Sequence, residues 1–193
     1  MKTENHVAFK EWASIVHALG MGKQILILRK GGIREEDGEF KVDHEEFYLF
    51  PTYEHQNKSD LKPEAYEDLE FALKTKSPAE IPVRYYAQVV GITHVADEGT
   101  LERFSSYHVW SEKAVHERFH FGREKGLYVM AVRVFELSKP HSIPSDPQYG
   151  GCKSWVELKQ TLSTQSVRSI LPNREFDFRW REISSLFLQS KQV

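Results

Sequence analysis

Leu127-Tyr128-Val129-Met130-Ala131-Val132-Arg133-Val134-Phe135-Glu136-Leu137 carries the strongest strand signal in the chain. Its apolar positions, Leu127, Val129, Ala131, Val132, Val134 and Phe135, are rich in β-formers. Residues 83–95 alternate in the same way and predict a second long strand, with Gly91 marking a bulge. Shorter strands are predicted at 24–28 and 47–50, the latter closed by Pro51. Between them lie segments of helical period. The first spans 7–19, with Val7, Ala8, Trp12, Ile15, Val16 and Leu19 on one face and Gly20 as its stop. The second spans 63–74, opened by Pro63, with Tyr66, Leu69, Phe71 and Leu73 as apolar surface. The third spans 111–121 and is capped by Ser111. A short helix at 155–161 and a last one at 175–189, with Phe178, Ile183 and Leu186 inward, complete the pattern. Residues 35–46 read as an acidic hairpin tip, 97–99 as a turn, and the proline-bearing 138–151 as a long loop. This order predicts an α+β fold, with a mixed or mainly antiparallel sheet flanked by helices. A doubly wound sheet needs more regular βα alternation.

The chain has 193 residues, enough for one domain with its own core over 1–193. Ser77-Pro78 and Ile81-Pro82 mark an internal linker near 75–82 as the alternative division. Hydrophobic residues make up 40% and charged residues 28%, which excludes global disorder. Net charge is −2, but residues 1–100 carry 12 Lys and Arg against 18 Asp and Glu, and the rest carries 14 against 10. A local anion-binding surface fits that asymmetry; a non-specific DNA coat does not. The single cysteine, Cys152, forms no intrachain disulfide and fits a reducing compartment. The N-terminus leads into no signal-like apolar run, and no stretch is long enough to span a membrane. A soluble, cytoplasmic protein is expected.

Three segments carry ligand chemistry. Arg29-Lys30-Gly31-Gly32-Ile33 is neither a P-loop nor a dinucleotide fingerprint. Its Gly-Gly turn can still form a nest of amide groups beside two cations. Tyr53-Glu54-His55-Gln56 offers a ring for stacking and polar edges for hydrogen bonding, the chemistry that holds a nucleobase. Gly150-Gly151-Cys152-Lys153-Ser154-Trp155 sets a second glycine pair beside a cation, at the start of the predicted short helix. Each has a plain structural alternative: a solvated strand end, a tyrosine on the core rim, and a tryptophan anchoring a helix.

His116-Glu117-Arg118-Phe119-His120 matches H-E-x-x-H. Two imidazoles at i and i+4 on one helix face could hold zinc while Glu117 serves as base. The helix has a charged back, and no third ligand is evident; His141 and Glu136 are the nearest candidates. A surface helix burying Val115 and Phe119 is the favoured reading, so no metal and no cofactor is expected. Asp37-Gly38-Glu39-Phe40-Lys41 is too tightly spaced for a nuclease core spanning two strands.

Several of these stretches together, Ala8-Phe9-Lys10-Glu11-Trp12, Leu28-Arg29-Lys30-Gly31-Gly32-Ile33, Phe50-Pro51-Thr52-Tyr53-Glu54-His55-Gln56 and Gly151-Cys152-Lys153-Ser154-Trp155-Val156-Glu157-Leu158, resemble the bacterial family called domain of unknown function 1802. The resemblance covers about residues 6–190. It implies no activity; members found beside restriction-endonuclease-like domains suggest nucleic-acid work or a link to restriction or defence systems. The expected function is recognition of a nucleotide or nucleic acid by Arg29, Lys30, Gly31, Gly32, Tyr53, His55, Gln56, Gly151, Lys153 and Trp155. The alternatives are a hydrolase, nuclease-like with Glu54 or His55 as base or zinc-dependent through His116 and His120, and a protein-interaction scaffold built on residues 176–180. No protein partner is assigned.

Overall fold

The computed structural model describes residues 1–30, 44–151 and 153–189. Gly31, Gly32, Ile33, Cys152 and nearly all of the expected 35–46 tip therefore lie outside the described residues. Among the described residues seven strands, β1 (Glu4–Trp12), β2 (Leu26–Arg29), β3 (Glu46–Thr52), β4 (Glu80–Val95), β5 (Leu127–Pro144), β6 (Trp155–Ser163) and β7 (Val167–Ser169), form one sheet. Five α-helices accompany it: α1 (Ala13–Gly20), α2 (Tyr66–Thr75), α3 (Glu98–Glu102), α4 (Glu112–His120) and α5 (Asn173–Gln189).

The strand order is β2-β5-β4-β3-β1-β6, with β7 also on β5. Every pairing is antiparallel except β1 with β3. The fold is thus α+β with a mixed, mostly antiparallel open sheet, as the sequence predicts. Successive side chains of a strand point to opposite faces. Phe9, Phe47 and Leu49 accordingly enter one buried cluster, and Ala8, Tyr48 and Phe50 a second. Both faces of the sheet are covered.

Four local expectations are corrected. Residues 7–12 are strand, not helix: Phe9 pairs with Leu49 and Lys10 with Phe50, and only Ala13–Gly20 is helical. The apolar positions at 7–10 fit a helix face equally well, and the β3 ladder decides between the two. Residues 155–161 are also strand. Val156, Leu158 and Leu162 are buried while Glu157 and Lys159 are exposed, which is a period of two. The loop expected at 138–151 is strand as far as Pro144, because Glu80–Val83 lie opposite as its partner; those residues also occupy part of the expected linker. The turn at 97–99 opens α3, with the Asp97 carboxylate accepting from the Thr100 amide at 2.6 Å. Of the three residues expected inward on the last helix, Ile183 and Leu186 are buried and Phe178 is exposed; of the apolar surface expected on 63–74, Leu69 is buried and Phe71 and Leu73 are exposed.

The bulge at Gly91 is present: Val89 pairs with Val132 and Gly91 with Ala131. A Cβ at Gly91 would stand 2.6 Å from the Trp180 ring, so the missing side chain lets α5 pack against β4. No described helix is long and apolar enough to cross a membrane.

Phe9 is fully buried between Phe47 and Trp155. Phe9→Ala is expected to cost about 3–5 kcal/mol in urea unfolding, the usual loss for a buried aromatic ring. A negligible loss would show that the β1 pairing is not part of the stable core.

Candidate functional site

β1 ends at Glu11-Trp12, and distant segments meet there. Glu11 is 2% exposed. Its Oε1 accepts from the Trp12 amide at 2.7 Å, and its backbone carbonyl accepts from the Thr52 hydroxyl at 3.1 Å. Glu11 Oε2 is buried and has no hydrogen-bond donor. It is ion-paired at 3.9 Å with Arg29, the last residue of β2. The Arg29 guanidinium lies 4.8 Å over the Phe9 ring and donates to Ser154 Oγ at 3.1 Å. Phe9 in turn meets Trp155 edge to face at 4.8 Å.

A second guanidinium completes this corner. Arg118 of α4 lies 3.6 Å over the Trp110 ring and 5.2 Å from that of Trp12, and the two indoles are 4.7 Å apart. Burial pulls the Arg118 pKa below its ordinary value; Glu11 opposes that shift and Arg29 adds to it. The Asp60 carboxylate also opposes it, so the charges of Glu11, Arg29 and Asp60 all act on Arg118.

Some of the sequence-predicted residues belong to this corner. Arg29 and Trp155 form its floor with Phe9. Gln56 stands beside it, accepting from the Ser14 amide at 3.0 Å and donating to the Thr52 carbonyl at 3.1 Å. That side chain brackets the start of α1. Gly151 and Lys153 are exposed just ahead of β6, and Gly151 has φ +76°. The Gly151 carbonyl accepts from Lys10 Nζ at 2.7 Å. Ser154 opens a strand, so no helix N-terminus is available there to attract an anion.

Others are placed elsewhere. Lys30 Nζ donates to the carbonyls of Phe119 at 3.1 Å, of Gly126 at 3.0 Å, and of Glu124. It ties the end of α4 to the start of β5. Burial lowers its pKa, partly offset by Glu124. Tyr53 lines a small hollow with Val16, His17, Phe71 and Arg84, which neither Lys30 nor Trp155 reaches. His55 is exposed, with φ +59°. Residues 176–180 are mixed: Phe176 is buried, Trp180 packs on Phe187, and Phe178 is exposed.

A separate cavity of about 670 Å³ lies between the α3 and α4 segments, lined by Lys62, Glu98, His108, Trp110, Lys113 and His116 among others. On its rim the His116 Nδ1 is 2.5 Å from Glu98 Oε1, and the His120 Nε2 is 3.3 Å from Glu98 Oε2. Glu98 is the third potential ligand that sequence reading missed, because residues 97–99 looked like a turn. The two third-ligand candidates are engaged elsewhere: His141 with the Ser163 carbonyl and Glu136 with Arg168. Glu117 faces Lys113 at 3.8 Å. Arg118 of the same motif, read only as the charged back of a helix, belongs instead to the Glu11 corner.

The family profile that matches this chain runs over residues 8–182, from β1 into α5, and spans both constellations. The chain belongs to that family, Domain of unknown function (DUF1802). No curated protein matches it. Among solved structures it is similar to the ASCH protein from Zymomonas mobilis, at 12% identity and a TM-score of 0.45, over 80% of this chain and 87% of that one. A single-substitution mutant of the Zymomonas mobilis ASCH protein gives 9% identity and a TM-score of 0.43, over 95% and 99%.

Two outcomes follow from this geometry. Lys30→Met removes three carbonyl contacts and is expected to cost about 1–3 kcal/mol, with faster amide exchange at the end of α4. His108, on the cavity wall, is 5% exposed, and burial with Lys62 nearby pushes its pKa down to about 3. The unfolded chain binds that proton near its ordinary value of about 6.5. The His108 contribution is thus complete above about pH 6.5 and is lost as pH falls towards about 3. Unfolding free energy across that window should slope by up to about 1.4 kcal/mol per pH unit on this account. The slope should be shallower in His108→Phe.

Proposed function

We propose that this chain recognises an anionic ligand with a planar part, a nucleotide or the end of a nucleic-acid strand, at the Glu11 corner. The observation that carries the reading is the pair of guanidiniums near the end of β1: Arg29, ion-paired with the buried Glu11 Oε2 that no donor satisfies, and Arg118, over the Trp110 ring beside Trp12. These two guanidiniums, with Lys153 exposed one residue before Ser154, supply the positive charge that attracts an anion. Guanidinium groups present paired N–H donors suited to phosphate and stay charged.

Aromatic surface supports the planar half of the ligand. Trp12 and Trp155 are each partly exposed beside the two arginines. An indole that stacks on a base contributes about 1–3 kcal/mol. Lys153 is exposed at the head of β6 and adds a second-rank cation, and the open turn at Gly151 leaves the approach uncrowded. Trp110 Nε1 is a further buried donor without a partner. Unsatisfied buried polar atoms are few in native proteins, and the unpaired Glu11 Oε2 suits a ligand whose planar part supplies a donor there.

In this reading Arg29 and Arg118 bind phosphate, Trp12 and Trp155 flank the base, and Glu11 orients the arginines. Lys30 and Gln56 contribute by holding α4 and α1 in place. Calorimetric titration with mononucleotides and a short single-stranded oligonucleotide tests it. Arg29→Ala and Arg118→Ala are each expected to weaken binding roughly tenfold or more, since a charged hydrogen bond contributes about 1.5–3 kcal/mol. Each should also reduce the salt slope by about one. Wild-type protein that binds none of these ligands, or well-folded variants that bind as wild type does, would remove the proposal.

A further inference from the structure

We infer that Glu98, His116 and His120 form a three-ligand site for a divalent transition metal of the zinc type. The site is distinct from the Glu11 corner; it keeps both histidines of the H-E-x-x-H pattern, takes Glu98 as its third ligand and leaves Glu117 out. His116 and His120 are four residues apart on α4 and so share a face. Glu98 comes from α3 and completes the set from the opposite side. The three donor atoms lie within 4.8 Å of one another. Zinc takes imidazole nitrogen and carboxylate oxygen at about 2.0–2.2 Å in a tetrahedral shell, which sets its ligand atoms about 3.4 Å apart. All three side chains are partly exposed, and small rotations bring them to that spacing.

The frame around the ligands is rigid although the ligands themselves are accessible. Ser111 caps α4 by accepting from the Ala114 amide at 3.2 Å, and Asp97 caps α3. Leu101, Phe104 and Phe119 anchor the two segments in the core. Lys30 fastens the far end of α4 through the Phe119 carbonyl. A carboxylate facing two imidazoles is a preformed donor set whose pieces are already aimed at a common point.

The ligand set has the composition of open zinc sites, two histidines and one glutamate, which leave a fourth position vacant. Glu98 and His116 also line the adjoining cavity, so water or a small anion from that cavity can take the fourth position. Lys113 on the same wall favours an anion. Glu117 stays outside the set, turned to Lys113, and no proton-transfer role is assigned to it.

The test uses the full chain without an affinity tag, stripped with a chelator and titrated with Zn²⁺ against a chromogenic competing chelator. A parallel titration uses Co²⁺ and its visible spectrum. The expected result is one metal per chain, an intense four-coordinate cobalt band, and a rise in melting temperature with zinc. His116→Ala and His120→Ala should each abolish stoichiometric binding. Glu98→Gln should weaken binding and shift the cobalt band, whereas Glu117→Gln should bind as wild type does. Circular dichroism confirms that the variants remain folded, as the exposure of these side chains leads one to expect. Wild-type protein that binds no stoichiometric metal overturns the inference. So does undiminished binding in folded His116→Ala or His120→Ala, which would place the ion elsewhere.

Discussion

The long antiparallel ladder between β4 and β5 is the constraint on which the rest of the structure hangs. It runs from Glu80 opposite Pro144 to Val95 opposite Leu127, with slips near Arg84 and Val90. β2 and β7 add to β5, β3 adds to β4, and β1 and β6 continue outward from β3. The chain between the paired ends, residues 96–126, must leave β4 and return to β5 at one end of their ladder. That stretch contains α3 and α4, and so brings Glu98 opposite His116 and His120. The same stretch places Arg118 against the end of β1. Both constellations are thus consequences of one hairpin with an elaborated connection.

Cations divide by chemistry in this molecule. Three lysines act as internal staples: Lys10 on the carbonyls of Tyr149 and Gly151, Lys30 on those of Phe119, Glu124 and Gly126, and Lys62 on those of Ser105 and His108. A compact ammonium with three donors suits a cage of carbonyl oxygens. Arg29 and Arg118 lie instead over aromatic rings, where a planar, weakly hydrated guanidinium is stabilised by the π face. Those three lysines organise loops, whereas Arg29 and Arg118 sit on rings near the end of β1. Charge counting along the chain cannot separate these roles, because each depends on which carbonyls or rings fold up beside the side chain.

The two segments of helical pattern that are strand, 7–12 and 155–161, show where local pattern fails. Val7, Ala8 and Phe9 satisfy a helical stripe and a two-sided strand equally well, because both faces of the β1 strand are buried. A strand with one wet face would have shown alternation, and β6 does show it at Val156, Glu157, Leu158 and Lys159. The Pro-bearing residues after Leu137 suggest a loop, yet Pro144 ends the ladder and Pro140 falls in its register slip, places where a missing N–H is tolerated. Glu98 was passed over for a similar reason: Asp97-Glu98-Gly99 has turn composition, but Asp97 is an N-cap, and caps and turns use the same residues.

Local chemistry along the chain was enough to establish the α+β class, the two longest strands, the Gly91 bulge, and the Ser111 cap of the helix that carries both histidines. Those features depend on neighbours a few residues away, through period, backbone conformation and side-chain caps. Tertiary packing alone decided that Arg29 meets Glu11, that Arg118 stacks on Trp110, that Lys30 is consumed by three carbonyls, that Tyr53 turns to a separate hollow, and that Glu98 faces two imidazoles. Each of these joins residues far apart in the chain. Strand pairing and the route of the β4–β5 connection bring them together, and no spacing within a single segment encodes that meeting.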